Sequence, residues 1–406
     1  MKNFKDSGIE WLGEIPQHWE IKPLKAVFNQ RNEQNTNLKL HTILSLIKDI
    51  GVVPYEEKGN IGNKSKEDLQ SYKIARINDL VLNKMNAVIG SLGVSAYNGL
   101  VSPIYLVFYI NSPKYLMSYY SYLFQIKNVQ KFLKIYAYGI MEIRESIDYL
   151  DFKKMSLPVP PLKEQEQIAN FLDEKCEKIK NFIEKKEKLI NLLKEQKQAL
   201  INETITKGLD KNVNFKDSGI EYLGEIPQHW EIRKLKYLAT IYNGKDQSYI
   251  TSDDGIFPIY GSGGIIGKTH QFLYDKQSVL LGRKGTIDKP LFVEIPFWTI
   301  DTMFYTKISC STYPKYFYYL CLTIDFKTYI SGSAIPSMTQ SDLIEIIFPF
   351  APLKEQEQIA NFLDEKCGKI DLLIEKTEKQ IKLIKEYKTT LINQAICGRR
   401  IIYAKI

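Results

Sequence analysis

An internal repeat constrains this chain more than any other sequence feature. Residues 3–25 read NFKDSGIEWLGEIPQHWEIKPLK and residues 214–236 read NFKDSGIEYLGEIPQHWEIRKLK, so 20 of 23 positions are identical. Residues 161–179 and 352–370 both begin PLKEQEQIANFLDEKC, and 18 of their 19 positions are identical. Self-similarity on this scale predicts two copies of one structural unit, so each half of the chain is expected to fold in the same way.

The stretches between the repeated segments differ in sequence but share a pattern of strands. Apolar runs bounded by Gly, Asn or Ser occur at corresponding places in the two halves and are typical of β-strands. The corresponding runs are Asp79–Asn83 with Ser278–Gly282 and Ile104–Ile110 with Met303–Ile308. We therefore expect a mixed α/β domain over about residues 20–157 and 231–348, followed in each half by a helix.

Two long helices are the clearest local prediction. No Gly or Pro occurs from Lys163 to Lys207, and apolar residues recur at alternating steps of three and four from Ala169 to Thr204. The same seam runs from Ala360 to Ala395. A heptad pattern sustained over this length is typical of a coiled coil, so we expect the two helices to pack on each other. The alternative is two amphipathic helices that each pack on their own domain.

Two lysines interrupt this seam at equivalent positions, Lys197 and Lys388. Lysine is costly in a dry helix interface, because its ammonium group needs water or a counter-charge. Such residues either extend their charged ends to solvent or specify the register of the pair, and we expect the former.

The composition narrows the class of protein. Net charge is +8 and the pI is about 8.9, which is compatible with nucleic-acid binding. The five cysteines include no Cys-x-x-Cys pair, which argues against a disulfide framework and a structural zinc site. No apolar run approaches the roughly 18 residues of a membrane helix, and the N-terminus does not resemble a signal peptide. We therefore expect a cytoplasmic protein without a membrane anchor.

Catalytic interpretations find little support. Ser262–Thr269 resembles a phosphate loop, but its first glycine is misplaced and no helix pattern follows. The four histidines have no metal-ligand spacing, and a structural role beside Trp19 and Trp230 is expected for His18 and His229. Asp173 and Asp364 resemble a nuclease carboxylate pair, but they lie on the repeated helix, where an exposed charged face is the simpler explanation.

Two loops favour contact with nucleic acid. Gly282–Thr286 places Arg283 and Lys284 on a glycine-flanked turn after an apolar strand, and arginine can donate two hydrogen bonds to guanine. The corresponding place in the first half holds Asn83–Asn86, which is suited to adenine or phosphate. Taken singly, each loop is better explained as a solvated turn, but together they favour DNA contact because the difference between the two halves falls there. The predicted DNA contacts are Lys84, Asn86, Ser91, Arg144, Ser262, Lys268, Arg283, Lys284, Thr286, Lys289 and Ser333.

The repeated segments, together with Leu280–Thr286 and Val101–Tyr105, resemble the DNA specificity subunit of type I restriction-modification systems over essentially the whole chain. The resemblance implies an α/β (α+β) protein of two pseudo-two-fold-related halves. Each half is a target-recognition domain plus a long helix, and the helices pair as an antiparallel coiled coil. The implied domains are residues 1–157 and 211–350, and the implied spacer helices are residues 158–210 and 351–406.

The resemblance also implies a non-catalytic function. Such a subunit binds a bipartite, asymmetric DNA site and directs two methyltransferase subunits, which transfer a methyl group from S-adenosylmethionine to adenine, and endonuclease subunits that use ATP and magnesium. No cofactor is expected in this chain itself. The alternative is a structural scaffold whose two globular domains bind protein partners.

Overall fold

The structure, a computed structural model, describes residues 3–48, 50–59, 68–138, 146–329 and 336–399. It contains two compact units, Met1–Lys185 with Gln380–Ile406, and Lys186–Lys379. Each unit combines one globular half with a segment of each long helix. Within the described ranges, every helix is too short or too polar to cross a bilayer.

The first half consists of short strands and short helices that lead into one long helix. Its strands are β1 (Phe4–Asp6), β2 (Glu14–Pro16), β3 (Glu20–Pro23), β4 (Asn29–Gln30), β5 (Leu44–Ile47), β6 (Gly51–Pro54), β7 (Lys73–Ala75), β8 (Leu80–Asn83), β9 (Leu92–Val94), β10 (Gly99–Val101), β11 (Tyr105–Tyr109), β12 (Ala137–Tyr138), β13 (Ser146–Ile147) and β14 (Ser156–Val159). Its helices are α1 (Leu24–Val27), α2 (Met117–Gln125), α3 (Lys127–Phe132), α4 (Tyr149–Phe152) and α5 (Leu162–Lys207).

The second half follows the same order with a different set of strands in its middle. Its strands are β15 (Phe215–Asp217), β16 (Glu225–Pro227), β17 (Glu231–Lys234), β18 (Ala239–Asn243), β19 (Phe257–Gly261), β20 (Gly264–Thr269), β21 (Ser278–Gly282), β22 (Leu291–Val293), β23 (Trp298–Thr299), β24 (Met303–Ile308) and β25 (Ile347–Phe350). Its helices are α6 (Leu235–Leu238), α7 (Pro314–Cys321), α8 (Gln340–Ile344) and α9 (Leu353–Ile396).

Each half contains its own four-stranded central sheet, and the strands of the two sheets correspond. The strand order is β4-β11-β8-β9 in the first half and β18-β24-β21-β22 in the second. The middle strands β8 and β21 are buried on both faces: Leu80 and Leu82 enter the main core of the first half, whereas Val81 enters a smaller cluster on the opposite face. Alternate residues of a strand point to opposite faces, which explains why these strands are continuous apolar runs. The predicted strands in both halves are confirmed.

The halves differ in the strands that surround this sheet. The first half adds three two-stranded antiparallel pairs, β5 with β6, β7 with β10 and β12 with β13. The second half instead adds a three-stranded sheet in the order β20-β19-β23. The divergent sequence between the repeated segments therefore builds different peripheral structure on the same central sheet.

Both long helices have the predicted seam. All of its positions, from Ala169 to Thr204 and from Ala360 to Ala395, are buried or half-buried, and the residues between them are mostly exposed. In the first unit, the start of α5 shares a core with the end of α9, where Leu172 joins Leu391. In the second unit the end of α5, with Ile201, shares a core with the start of α9. This pairing of start with end makes the helices antiparallel, as the resemblance implies.

The two seam lysines have different surroundings. Lys197 remains partly exposed and lies 2.7 Å from the carboxylate of Asp371, so it reaches both water and a counter-charge. The residue of the first half equivalent to Asp371 is Lys180, which is positively charged. Lys388 therefore cannot form the ion pair that Lys197 forms with Asp371. Lys388 instead lies near Cys176, where its charge partly offsets the rise in the pKa of that thiol caused by burial.

Candidate nucleic-acid interface

The turn after strand β21 is closed tightly by glycine. A Cβ atom on Gly282 would lie 2.3 Å from the carbonyl oxygen of Thr286, a contact that no side chain tolerates. Gly285 has a φ of +85°, in the left-handed region that favours glycine. The chain therefore reverses within four residues and holds Arg283 and Lys284 at its tip.

Other segments pin this turn through backbone hydrogen bonds. Arg283 N–H donates to the carbonyl oxygen of Thr302 at 2.9 Å, and the carbonyl of Arg283 accepts from Met338 N–H at 2.9 Å. Gly285 N–H donates to the carbonyl oxygen of Pro336, also at 2.9 Å. The turn is therefore an ordered part of the domain and differs from a solvated loop.

The arginine at this turn is pre-positioned. Its guanidinium donates a hydrogen bond of 3.2 Å to the carbonyl oxygen of Asp301, and it lies 6.0 Å from the ring centre of Phe304. Arg283 is half-buried and Lys284 is exposed. A guanidinium that is held on one side loses less conformational freedom when its other donors bind a ligand.

The tip of hairpin β19–β20 meets the same turn. Ser262 N–H lies 3.4 Å from Thr302 Oγ1, and Ser262 Oγ would lie 3.1 Å from a Cβ atom on Gly285. Three segments that are distant in sequence therefore converge at one place. We call these residues the second-half cluster: Ser262, Arg283, Lys284, Asp301 and Thr302.

The other predicted residues of the second half lie around this cluster or away from it. Thr286 is half-buried, and its carbonyl group closes the turn on Gly282. Lys268 is exposed on β20, four residues beyond the start of that strand, and its carbonyl accepts from Ser252 N–H at 2.9 Å. Lys289 is exposed after the turn. Ser333 lies outside the described residues.

The corresponding turn of the first half follows strand β8. Met85 N–H donates to Asn83 Oδ1 at 3.0 Å, and Asn86 N–H donates to the carbonyl of Asn83 at 3.1 Å. The carbonyl of Lys84 accepts from Ile147 N–H at 3.0 Å. Asn86 is exposed and Lys84 is half-buried, so both predicted residues lie at the surface of this turn.

Two predicted residues of the first half do not contribute to that surface. Ser91 is only 4% exposed, because its backbone closes the turn through hydrogen bonds with Asn83 and Asn86. We therefore leave its side chain out of the interface. Arg144 lies outside the described residues.

Sequence reasoning missed four exposed or polar residues at these sites. Asp301 contacts Arg283 and Thr302 contacts Ser262, so both belong to the second-half cluster. They directly precede strand β24, and the sequence there does not indicate a role in binding. Met85 and Ile104 are 45% and 49% exposed beside the first-half turn. Ile104 was assigned to a strand, and Met85 lay within the predicted loop Asn83–Asn86 but was not among the predicted DNA contacts.

The residues considered for catalysis have structural contacts instead. His18 Nε2 lies 2.5 Å from Glu164 Oε1, and His229 Nε2 lies 2.8 Å from Glu355 Oε1. Both pairs tie a repeated segment to the first turn of a long helix. Within the described ranges, no group of three or more metal-ligating side chains converges.

The other two catalytic interpretations also have structural explanations. Tyr122 donates a hydrogen bond of 2.6 Å to Asp173, and Tyr319 donates one of 2.8 Å to Asp364, so these carboxylates attach helices to the globular halves. Residues 264–269 form strand β20, so the segment that resembles a phosphate loop lacks the required helix.

The comparisons with known proteins agree with this organisation. The family model described as the type I restriction modification DNA specificity domain matches residues 16–205 and 227–383. The chain is 26% identical to the putative type I restriction enzyme MjaX specificity subunit of Methanocaldococcus jannaschii, over 98% of this chain and 96% of that protein. It is 28% identical to the MjaVIII specificity subunit of the same organism, over 68% of this chain and 69% of that protein.

Two solved structures share the fold. One, from a study of complex assembly and conformational transition of the type I R-M system, covers 95% of this chain and 99% of its own with a TM-score of 0.74 and 15% identity. The other is the HsdS subunit from Thermoanaerobacter tengcongensis, with a TM-score of 0.54, 14% identity and coverage of 97% and 100%. The chain belongs to the family of type I restriction-modification DNA specificity subunits, and it is the sequence-specific DNA recognition subunit, which is not the catalytic one.

Proposed function

We propose that this chain binds a bipartite, asymmetric DNA site, with one half-site bound by each globular half. The proposal rests on one observation. Each half has a central sheet of the same arrangement, β4-β11-β8-β9 in the first and β18-β24-β21-β22 in the second. The halves differ at the turns that follow β8 and β21. A common scaffold with different exposed turns suits one protein that recognises two different sequences. The proposed recognition domains are residues 1–157 and 211–350.

The second-half cluster supplies hydrogen-bonding groups for one half-site. Arg283 retains guanidinium donors for the two acceptors that guanine presents in the major groove, while one donor binds Asp301. Lys284, Lys268 and Lys289 are exposed cations suited to phosphate. In the first half, Asn86 is suited to adenine and Lys84 to phosphate.

The long helices, within residues 158–210 and 351–406, are proposed to separate the two domains and to dock partner subunits. Each helix is continuous from one unit into the other. The partners are two methyltransferase subunits, which use S-adenosylmethionine, and endonuclease subunits, which use ATP and magnesium. Family membership supports these partners and a cytoplasmic location, where such subunits meet DNA.

Mapping of methylated adenines tests the proposal. A restriction-deficient host would express the chain with its methyltransferase subunit, and its genome would be sequenced with detection of N6-methyladenine. We expect one new motif composed of two different half-sites with a fixed, unspecified spacer. A contiguous motif, or methylation that does not depend on this chain, would contradict the proposal.

Substitution at the second-half cluster assigns the half-sites. Arg283→Ala and Lys284→Ala should weaken recognition of one half-site and leave the other unchanged, because the glycine-flanked turn with two adjacent cations exists in the second half alone. The matched variant Lys276→Ala removes a cation of the same domain that is exposed outside the cluster. Equal losses at both half-sites would show that the turn is structural. Binding of duplex DNA that depends on neither sequence nor salt would favour the scaffold alternative.

A further inference from the structure

The two turns can be compared residue by residue, because strand register and hydrogen bonds correspond. Asn83 pairs with Tyr105 across β8 and β11, and Gly282 pairs with Met303 across β21 and β24. The next residue of each turn, Lys84 or Arg283, accepts a backbone hydrogen bond from the segment before the last short helix. Lys84 is therefore the structural equivalent of Arg283.

The same register makes two further pairs of positions equivalent. Ile104 immediately precedes Tyr105 and corresponds to Thr302, which immediately precedes Met303. Met85 follows Lys84 and corresponds to Lys284. The second half therefore presents a hydroxyl and an ammonium group where the first half presents two apolar side chains.

These apolar side chains are exposed, as is Ile89 nearby. Met85 is 45% exposed, Ile104 is 49% exposed, and Ile89 on the same turn is 54% exposed. We call these three residues the first-half patch. The adjoining Ala87 and Val101 are fully buried. Met85 and Ile104 lie on two segments that the Asn83–Tyr105 strand pair holds side by side, and exposed apolar side chains that gather at one place are typical of a binding site.

Positive charge beside the first-half patch favours DNA over a protein partner as its occupant. Lys73 Nζ donates a hydrogen bond of 2.8 Å to the carbonyl of Tyr105, the residue next to Ile104. Burial lowers the pKa of Lys73, and the charge of Lys84 lowers it further. Two cations and the exposed amide of Asn86 around an apolar patch match the phosphates, adenines and methyl groups of a duplex rich in A·T pairs.

The following inference rests on the proposed function. We propose that the first half recognises the C5-methyl group of thymine in its half-site through Met85 and Ile104. The second half, in contrast, recognises its half-site through hydrogen bonds from the second-half cluster. The C5-methyl group distinguishes thymine in the major groove, and apolar side chains are the groups that contact it. The two halves therefore use different chemistry on the same scaffold.

The test uses the complex of the full chain with its methyltransferase subunits and duplexes that carry the mapped bipartite site. Each thymine of one half-site is replaced by deoxyuridine, which removes the C5-methyl group and no hydrogen-bonding group. We expect affinity to fall about fourfold for each contacted methyl group when the first half-site is substituted. Substitution in the second half-site should leave affinity unchanged.

Protein variants complete the test. Met85→Ala and Ile104→Ala should weaken binding to thymine-containing DNA and abolish the difference between thymine and deoxyuridine. The matched control Ile77→Ala removes a side chain that is 53% exposed before the opposite end of strand β8, and it should retain the full difference.

The outcomes separate this proposal from the proposed function. Equal affinity for thymine and deoxyuridine at the first half-site would overturn the inference, even if both alanine variants bind DNA more weakly. Alanine variants that bind DNA normally but no longer assemble with the methyltransferase would also overturn it, because the patch would then be a protein interface. If the complex without any substitution bound all DNA sequences equally well, that result would instead contradict the proposed function.

Discussion

Trp19 donates its indole N–H to the carboxylate of Glu164 at 3.0 Å, across 145 residues of chain. Trp230 makes the same hydrogen bond to Glu355, also at 3.0 Å. Each tryptophan therefore joins a repeated segment to the first turn of the long helix of its own half. The two segments with the highest identity in the sequence are the partners in this contact.

The same tryptophans also contact the end of the other helix. A Cβ atom on Gly398, after α9, would lie 3.0 Å from the ring of Trp19, and one on Gly208, after α5, would lie 3.0 Å from Trp230. Both glycines have a left-handed φ, +67° and +70°. Each tryptophan thus holds the start of one helix beside the end of the other, so both copies of these repeated segments have the same structural role.

Removal of Glu164 should destabilise the first unit. Glu164→Ala leaves the buried indole N–H of Trp19 without its acceptor, and hydrogen bonds to charged groups contribute about 1.5–3 kcal/mol. Hydrogen exchange of peptides around Trp19 in increasing urea would measure the loss. Glu164→Gln should lose less, because its amide oxygen still accepts from the indole.

Glu355→Ala is the matched control for this prediction. It should accelerate exchange around Trp230 and leave peptides around Trp19 unaffected, since the two contacts lie in different units. Equal acceleration in both units after a single substitution would show that the two contacts do not act locally.

The buried ion pair of the first half should be essential to its stability. Arg31 Nε donates to Asp79 Oδ2 at 2.7 Å, and Asp79, only 2% exposed, also accepts from Arg76 N–H at 2.8 Å. Asp79→Ala leaves the Arg31 charge without its buried partner and with only the more distant, exposed Glu33 carboxylate at 3.9 Å, and breaking a buried ion pair costs about 3–5 kcal/mol. Urea denaturation followed by circular dichroism would measure the change.

The corresponding position in the second half suggests a substitution that restores the stability lost in Asp79→Ala. The position equivalent to Asp79 holds Ser278, whose hydroxyl donates to the carbonyl of Thr306 at 2.8 Å without any charge. The double variant Arg31→Met, Asp79→Ser should therefore recover much of the stability that Asp79→Ala removes, since serine retains an acceptor for Arg76 N–H. A double variant as unstable as Asp79→Ala would contradict this explanation.

Cysteine reactivity should follow burial. Burial raises the pKa of Cys397 to about 11 and also raises the pKa of Cys321, so neither forms appreciable thiolate at pH 8. Cys310 is exposed. Because the thiolate is the reactive form, iodoacetamide at pH 8 should alkylate Cys310 first. Peptide mass spectrometry of native and urea-unfolded protein would show it, and rapid native alkylation of Cys397 would disprove it.

The spacing of the half-sites should follow the length of the helices. Seven residues inserted between Lys185 and Lys186, and seven between Lys379 and Gln380, preserve the heptad seam and add about 10.5 Å to each helix. B-DNA rises about 3.4 Å per base pair, so the spacer should lengthen by about three base pairs. Methylome sequencing would measure it. An unchanged spacer with full methylation would show that the helices do not set the spacing.

The recognition domains should be exchangeable. Replacement of residues 20–157 by the corresponding domain of another family member should change one half-site only, because strand β3 and strand β14, at the two junctions, pair with each other inside one unit. The second half-site serves as the internal control. A chimera that methylates the original bipartite motif would contradict the assignment of recognition to this domain.

The long helices and central strands could be predicted because their signals are local. The heptad seam and the glycines that follow it specify each helix without reference to the rest of the chain. Strands such as β8 and β21 have consecutive apolar residues, Leu80–Leu82 and Val279–Leu281, which indicates burial on both faces. The repeat itself indicates that whatever fold one half adopts, the other half adopts as well.

The composition of the interface could be predicted only in part. Arg283 and Lys284 were identifiable from a basic turn flanked by glycine, but Asp301, which accepts from Arg283, and Ser262, which contacts Thr302 and Gly285, come from other segments of the chain. The buried position of Ser91 and the exposed position of Ile104 both run against the usual preference of their residue types. Burial of a side chain depends on what tertiary structure places around it.

The sequence by itself determined the duplication, the two helices with their seam, the central strands and, through the repeated segments, the family. These features depend on periodicity and local backbone preference, which act over a few residues. Only the tertiary structure decided that Ser262, Thr302 and the turn after β21 converge, and that Met85 and Ile104 are exposed beside the turn after β8. The physical reason is that contacts such as Ser262 with Gly285, or Trp19 with Gly398, join residues far apart in the chain, and strand register and core packing bring them together.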